Sequence, residues 1–338
     1  MDSVEKLEAA LATPSSTLIT DLQNLDGDIM LLGAGGKMGP SLAMLARNAL
    51  DAGGSEANVI AVSRFSDKAV ERRLNDAGVK THSADLLEEE QLAGLPDAEN
   101  LVYMAAMKFG STGQEPRTWA MNTYLPGRVA ERFKNSRITA FSTGNVYPLS
   151  SLATGAPTEN DPTGPVGEYA QSCLGRERMF QHFSEKYGTK VSLLRLNYAI
   201  ELRYGVLVDI ALAVHEGRPV DLEMGHVNVI WQGDANEIAL RSLLHAAAPP
   251  TIFNLTGPET ASVRRLAARL GERLGKEPTF SGVEAESALL NDASRSHALF
   301  GYPSVALNTM IDRVAEWVAA GGETSGKPTK FQVRTGDF

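Results

Sequence analysis

From residue 28 onward the chain alternates short apolar runs with stretches of helical periodicity, and this alternation constrains the fold more than any other feature. The runs are Ile29-Met30-Leu31-Leu32, Val59-Ile60-Ala61-Val62, residues 79–82, Leu101-Val102-Tyr103-Met104, residues 138–141, residues 191–196 and Ile252-Phe253-Asn254-Leu255. Helices are expected at 38–52, 66–77, 117–134 and 169–187. Strands joined through helices run parallel and bury both faces, so the fold class is α/β, a doubly wound parallel sheet. Beyond Asn197 the order loosens: 205–216 and 233–247 read as helical, 227–231 as extended, and 263–274 and 307–319 as helical again. The expected organisation is an N-terminal helical extension over 1–27, a sheet domain over 28–197 plus 229–256, a smaller C-terminal α/β lobe over 198–228 plus 257–320, and a tail or strap over 321–338.

Charge narrows the partners. With 32 Lys+Arg against 41 Asp+Glu the net charge is −9, a field that repels nucleic acid and anionic membranes, so neither is expected to bind. Met1-Asp2-Ser3-Val4-Glu5 lacks a basic leader, and no apolar run reaches the roughly 18 residues of a membrane span, so the reading is cytoplasmic. The lone Cys173 has no internal disulfide partner, and the six His fall in no metal-ligand spacing, so no metal is expected. Chemistry must then come from a bound organic cofactor, hydroxyls, carboxylates and bases.

The segment Leu32-Gly33-Ala34-Gly35-Gly36-Lys37-Met38-Gly39-Pro40 leaves an apolar strand and opens a helix, the context in which a glycine motif binds phosphate. Gly33 can make the tight turn, Gly36 can admit a pyrophosphate to backbone N–H groups, and Gly39 can let helix and strand close together. The helix N-terminus adds partial positive charge, and Pro40 suits its first turn. Gly33, Gly35, Gly36, Lys37, Met38 and Gly39 are therefore assigned to a dinucleotide.

The Gly-x-x-Gly-x-x-Gly spacing, with the segments below, resembles the extended branch of the short-chain dehydrogenase/reductase superfamily, which holds nucleotide-sugar epimerases and dehydratases. The likeness runs from residue 28 to about 320 and implies a Rossmann cofactor domain with a substrate lobe, acting on a small molecule. At the end of the second strand Ser63-Arg64 stands where an acidic residue would favour a free ribose; a hydroxyl and a guanidinium suit a 2′-phosphate, so NADP is favoured over NAD. Asp85-Leu86 matches the adenine contact, Ala105-Ala106 the strand end beside the cofactor, and Asn122 the Asn of the next helix. In Phe141-Ser142-Thr143-Gly144-Asn145-Val146-Tyr147-Pro148, Thr143 falls at the catalytic hydroxyl position and Asn145 faces substrate. Tyr169 falls at the catalytic tyrosine, which also contacts cofactor, and Arg195-Leu196-Asn197 resembles the segment by nicotinamide and substrate. Members of this branch often dimerise through helices corresponding to 117–134 and 169–187, so a homodimer is carried over, although Pro126 should interrupt the first of them.

One position departs. Where the family reads Tyr-x-x-x-Lys, this chain reads Tyr169-Ala170-Gln171-Ser172-Cys173, and no other tyrosine has Lys four residues on. Without that charge a phenol near its ordinary value of about 10 is ionised on the order of once in a thousand at neutral pH. Tyr169 would be a poor base for alcohol oxidation yet could still donate a proton to a carbonyl being reduced. Lys108, past the fourth strand, could hold a carboxylate or phosphate; Arg176 lies two turns beyond Tyr169 on the same helical face. The expected function is an NAD(P)-dependent oxidoreductase, epimerase or dehydratase acting by hydride transfer on a sugar, sugar acid or sugar nucleotide. The alternative is a weak or inactive dinucleotide-binding regulator of the same superfamily.

Overall fold

The structure, a computed structural model, describes residues 1–108 and 110–337. Seven parallel strands form the central sheet: β1 (Ile29–Leu32), β2 (Val59–Ser63), β3 (Lys80–Ser83), β4 (Asn100–Tyr103), β5 (Arg137–Thr143), β6 (Val191–Leu196) and β7 (Thr251–Leu255). Their order is β7-β6-β5-β4-β1-β2-β3. The order reverses between β1 and β4, with Leu32 level with both Val62 of β2 and Tyr103 of β4. At such a reversal the connecting helices leave to opposite faces and open a crevice at the carboxyl ends of the strands. β1 and β4 are buried at every residue, as strands covered on both faces must be, whereas the edge strand β3 is largely exposed.

Helices α1 (Val4–Leu11) and α2 (Ser16–Gln23) precede the sheet. α3 (Gly39–Ala52) and α4 (Lys68–Asp76) follow β1 and β2, and α5 (Glu89–Ala93) leads to β4. Leu18 and Leu22 of α2 and Leu42, Leu45 and Ala46 of α3 cover one sheet face. The opposite face is covered by Leu125 and Val129 of α7 (Leu125–Arg132) and Phe180 of α8 (Gly167–Tyr187). The continuous helix expected at 117–134 is instead α6 (Glu115–Trp119), a π-helical turn (Ala120–Tyr124) and α7. Pro126, near the start of α7, brings no N–H, and the wider turn before it absorbs the missing bond so that the chain continues in one direction.

The lobe packs α9 (Val206–His215), α11 (Val263–Leu274) and α13 (Leu307–Ala319) around a separate core. α10 (Gln232–Arg241) returns to the sheet, where Ala235, Ala239 and Leu240 join α3, and the short α12 (Ser294–Phe300) lies on β7. The N-terminal extension serves both cores: Leu7 and Leu11 of α1 belong to the lobe, Leu18 and Leu22 of α2 to the sheet. The tail is an intramolecular strap. Ser325 N donates to Arg203 O (2.9 Å), Thr329 bonds Asp209 through N and Oγ1 (2.8 and 2.6 Å), Arg334 reaches Ser287 O (2.7 Å), and Gly336 lies against Gly167 at the start of α8.

Candidate active site

The glycine segment forms a cradle at the β1–α3 turn. Gly33 has φ +97°, and a Cβ there would come within 2.6–2.7 Å of the Ala105 backbone. A Cβ on Gly39 would collide with Ala34, and one on Gly35 with the Ser63 hydroxyl. Gly36 differs: a Cβ there would meet nothing nearer than Gly33 O at 3.5 Å, so it faces open space. No side chain caps α3, whose N-cap is Met38; Gly39 N is already bonded to Gly36 O (3.2 Å) and Pro40 has no N–H, so the helix end offers the cradle chiefly its dipole. This is a shape that a diphosphate fits.

The cradle forms one end of a cavity of about 730 Å³, whose walls also include Ala106, Lys108, Thr143, Asn145, Tyr169 and Asn197. Tyr169, on the first turn of α8, is almost fully buried, with Thr143 and Cys173 among its neighbours. Burial pushes the phenol well above its ordinary value, the neighbouring Cys173 adds to the rise, and Arg176 opposes it. The Cys173 thiol is buried and raised for the same reason. Thr143 Oγ1 also accepts from Asn145 N (3.2 Å), which fixes the turn leaving β5.

Lys37 and Lys108 line the cavity from opposite loops, and Lys327 of the tail also lines it. Lys108 places Nζ 6.0 Å from the Tyr169 ring centroid, and burial lowers its ammonium to about 8 against the opposing pull of Cys173 and Asp209. Lys37 crosses from the cradle to donate to Ala199 O (3.0 Å) and lies 4.1 Å over the Tyr204 ring; burial lowers it to about 7 against Glu201. An ammonium held so close to neutrality is poised to take up a proton when an anion arrives.

Other sequence-assigned residues lie elsewhere. Asn122, in the π-helical turn, is fully buried: Oδ1 accepts from Met107 N (2.8 Å) and Arg176 Nη2 (3.1 Å), and Nδ2 donates to Met107 O (2.9 Å) and Ser172 Oγ (3.0 Å). With both functions taken, it pins the loop that carries Lys108 and has none left for a cofactor. Arg195 lies outside the cavity lining. Read as a substrate contact, it lies 3% exposed behind the wall, paired with fully buried Glu177 (Nη2 to Oε2, 2.7 Å) and donating to Tyr147 OH (2.7 Å). The side chain alternates to the far face of β6 from Leu196, which does line the cavity.

Ser63, Arg64, Asp85 and Leu86 cluster past the ends of β2 and β3. Leu86 is buried, while the Arg64 side chain is 65% exposed with Nη1 4.0 Å from Asp85 Oδ2. Asp85 also accepts from Leu87 N (3.1 Å), and Asp67 caps α4 through Ala69 N (2.9 Å). Ala105, at the β4 exit, is buried against Gly33. Sequence reasoning missed the mouth of the cavity. There Glu8 of α1 bridges Arg73 of α4 and Arg203, and Glu323, Ser325, Lys327 and Thr329 of the strap form part of the wall. No local pattern marks these residues, because they meet only when both chain ends fold back. Among the described residues no cluster of His, Cys, Asp or Glu could hold a metal, and no helix is long and apolar enough to cross a membrane.

An open doubly wound sheet with a glycine cradle and a tyrosine–threonine pair across one cavity defines a dinucleotide-dependent Rossmann enzyme. The profile of the NAD dependent epimerase/dehydratase family matches residues 29–221, and the chain belongs to that family. It is a nicotinamide-dinucleotide-dependent enzyme of the short-chain dehydrogenase type. Solved structures share the fold. UDP-glucose 4-epimerase from Thermotoga maritima, crystallised with UDP-glucose, is 20% identical with a TM-score of 0.71, covering 86% of this chain and 98% of that one. UDP-glucuronic acid 4-epimerase from Bacillus cereus, in complex with NAD, is 17% identical with a TM-score of 0.71 over the same shares. UDP-glucose 4-epimerase from Thermus thermophilus, also with NAD, is 18% identical with a TM-score of 0.68 over the same shares again. No curated protein matches the sequence.

Proposed function

We propose that this protein transfers hydride between a nicotinamide dinucleotide and a carbon of a sugar, sugar acid or sugar nucleotide, with Thr143 and Tyr169 at the reacting oxygen. The observation that carries this reading is that Thr143 and Tyr169 line the same cavity as the glycine cradle. Two of the similar enzymes have NAD in their structures and one has UDP-glucose, in keeping with this class of ligand. The bound nicotinamide would supply or accept the hydride. Gly36 and the α3 N-terminus would hold the diphosphate, Lys37 would neutralise it, and Asn197 would border the nicotinamide end. Thr143 would donate to the substrate oxygen, and Tyr169 would give that oxygen its proton as a carbonyl becomes an alcohol. A phenol held neutral by burial favours this direction over oxidation. Lys108 and Asn145 would orient the substrate, and the ammonium would suit a carboxylate or phosphate.

Of the two coenzymes we favour NADP. The exposed Arg64 lies beside Ser63 at the ribose end, and the nearby Asp67 carboxylate is occupied in capping α4. A homodimer through the outer faces of the π-helical turn with α7 and of α8 is also proposed, supported by exposed Tyr124 at the end of that turn and Tyr187 at the end of α8. The test is stopped-flow mixing of the protein with NADPH or NADH and a panel of keto-sugars, keto-acids and 4-keto nucleotide sugars. Reduction of at least one substrate, faster with NADPH and lost in Tyr169→Phe, is expected. Coenzyme binding without hydride transfer to any member would overturn the reading.

A further inference from the structure

The floor of the cavity has the shape for phosphate but few free donors. Gly39 N is bonded to Gly36 O (3.2 Å), Pro40 has no N–H, and Lys37 donates to Ala199 O (3.0 Å). More positive charge stands at the mouth. Arg73, on α4 of the sheet domain, and Arg203, in the turn 201–204 that opens the lobe, converge on one oxygen of Glu8: Nη1 of each reaches Oε1, Arg203 at 3.0 Å. All three residues line the same cavity as the glycine cradle. Two guanidiniums from opposite sides of a cleft, closing on a single carboxylate oxygen, make an anion site, and Glu8 is the anion in it.

The three groups are held differently. Arg203 is fixed: its Nε donates to Glu201 Oε1 and Oε2 (3.3 and 3.2 Å) and its backbone N to Oε2 (2.9 Å), and Glu201 is buried, so Nη1 is aimed at the cleft by a rigid partner. Arg73 is held by Glu8, and among the described residues its buried Nε–H has no acceptor. Glu8 rides on α1, which Leu7 and Leu11 anchor in the lobe core. The helix therefore stays docked while the half-buried carboxylate is free to rotate out on its own side-chain torsions. Glu8 brings one charge through one oxygen. A phosphate presents two or three oxygens to the same forks, which is the geometry that guanidiniums bind best.

We propose that Arg73 and Arg203 form a phosphate subsite at the mouth of the cavity, that Glu8 fills it in the ligand-free protein, and that a phosphate of the incoming dinucleotide displaces Glu8. The subsite rests on the reading that this cavity takes a dinucleotide, and adds to it a competitor carried by the chain itself. While the clasp is closed, Glu8 keeps two arginines from standing unpaired, and it lowers the apparent affinity for phosphate by the fraction of molecules in which it is closed. The phosphate belongs either to the diphosphate bridge or to the 2′ position of the adenosine ribose; both offer the same oxygens to the same donors.

The experiment titrates the full chain calorimetrically with ADP-ribose, which carries the diphosphate alone, and with adenosine 2′,5′-bisphosphate, which carries the 2′-phosphate without the diphosphate. Glu8→Gln should tighten one or both probes at least about fivefold. Adding Arg73→Met to Glu8→Gln should loosen the same probe by at least about that factor, and Arg73→Lys, which keeps the charge and loses the fork, by less. Glu323→Gln removes another, exposed carboxylate from the same wall and should change affinity by less than about twofold, because repulsion across solvent is screened. The probe that responds identifies which phosphate the arginines hold. Near-ultraviolet circular dichroism checks each fold, and Arg73→Gln takes the place of Arg73→Met if that variant departs from wild type. Probes that bind Glu8→Gln no more tightly than wild type overturn the proposal, as does an Arg73 variant that binds as well as its Glu8→Gln parent, or a gain in Glu323→Gln equal to that in Glu8→Gln. Failure of hydride transfer in the stopped-flow panel would leave these affinities unchanged, so the two readings fail separately.

Discussion

Arg195→Met tests whether the charge behind the active-site wall is structural. Glu177 is fully buried and receives three hydrogen bonds from Arg195 (2.7, 3.0 and 3.3 Å) and one from Ser142 Oγ (2.6 Å). Removing the guanidinium leaves the carboxylate inside the protein with the serine alone, at a cost of about 3–5 kcal/mol for a buried pair broken on one side. Tyr147 also loses its donor, though its hydroxyl keeps Asn254 Oδ1 at 2.8 Å. With an unfolding entropy of about 2.1 cal/mol/K per residue, such a loss lowers Tm by roughly 4–7 °C. Calorimetric melts measure this directly, and coenzyme titration followed by fluorescence measures the site. Because Arg195 does not face the cavity, coenzyme affinity should change by less than about threefold, or ~0.6 kcal/mol. Replacing both partners, Arg195→Met with Glu177→Leu, should recover more than half of the lost Tm, since no unpaired charge remains. A single variant melting within about 1 °C of wild type, or a double variant no better than the single, refutes the argument. A large loss of substrate affinity at unchanged Tm would return Arg195 to the substrate.

Other expectations concern the cradle, Lys37 and the strap. Gly39→Ala should be destabilised by about 2 kcal/mol or more, because its Cβ meets the Ala34 backbone, whereas Gly36→Val should melt near wild type and lose coenzyme binding; equal Tm losses in both would contradict the cradle geometry. Lys37, lowered to about 7 in the free protein, should be raised by a bound diphosphate, so binding takes up protons and affinity falls as pH rises from 7 to 9. Calorimetry in buffers of different ionisation enthalpy reads that uptake, which Lys37→Met should abolish; a pH-independent wild type would rule it out. Against the unfolded chain the same group works the other way: its folded value lies below its unfolded one, so Lys37 costs stability below pH 7, and that cost is relieved as pH rises toward 10. Thr329→Val removes the hydroxyl's bonds to half-buried Asp209 and from Phe331 N and leaves the backbone N–H on the carboxylate; strap proteolysis should quicken while the sheet core melts unchanged, and a uniform Tm loss would show the strap to be part of the core.

The sheet and the cradle were legible in the chain because their physics is local. Ile29 to Leu32 is apolar at every residue, a strand covered on both faces is nothing else, and a glycine spacing between that strand and a helix requires backbone conformations and clearances visible in composition alone. The bounds of α11 and α13 fell where periodicity put them for the same reason. Thr143 and Tyr169 were assigned only through resemblance to a family, and the fold places both on the lining of one cavity. Tertiary structure alone decided what each charge faces. Arg195 and Leu196 are neighbours on one strand, yet one enters a buried pair and the other the cavity, and the face each takes depends on which layer covers it. Asn122 reads the same in sequence whether it touches a cofactor or pins a loop; only the fold sets it in a π-helical turn with Met107 N on its Oδ1. Glu8, Arg203 and the strap meet across about 120 to 195 residues of chain, a distance at which sequence carries no periodic signal and only the packing of two cores brings them together.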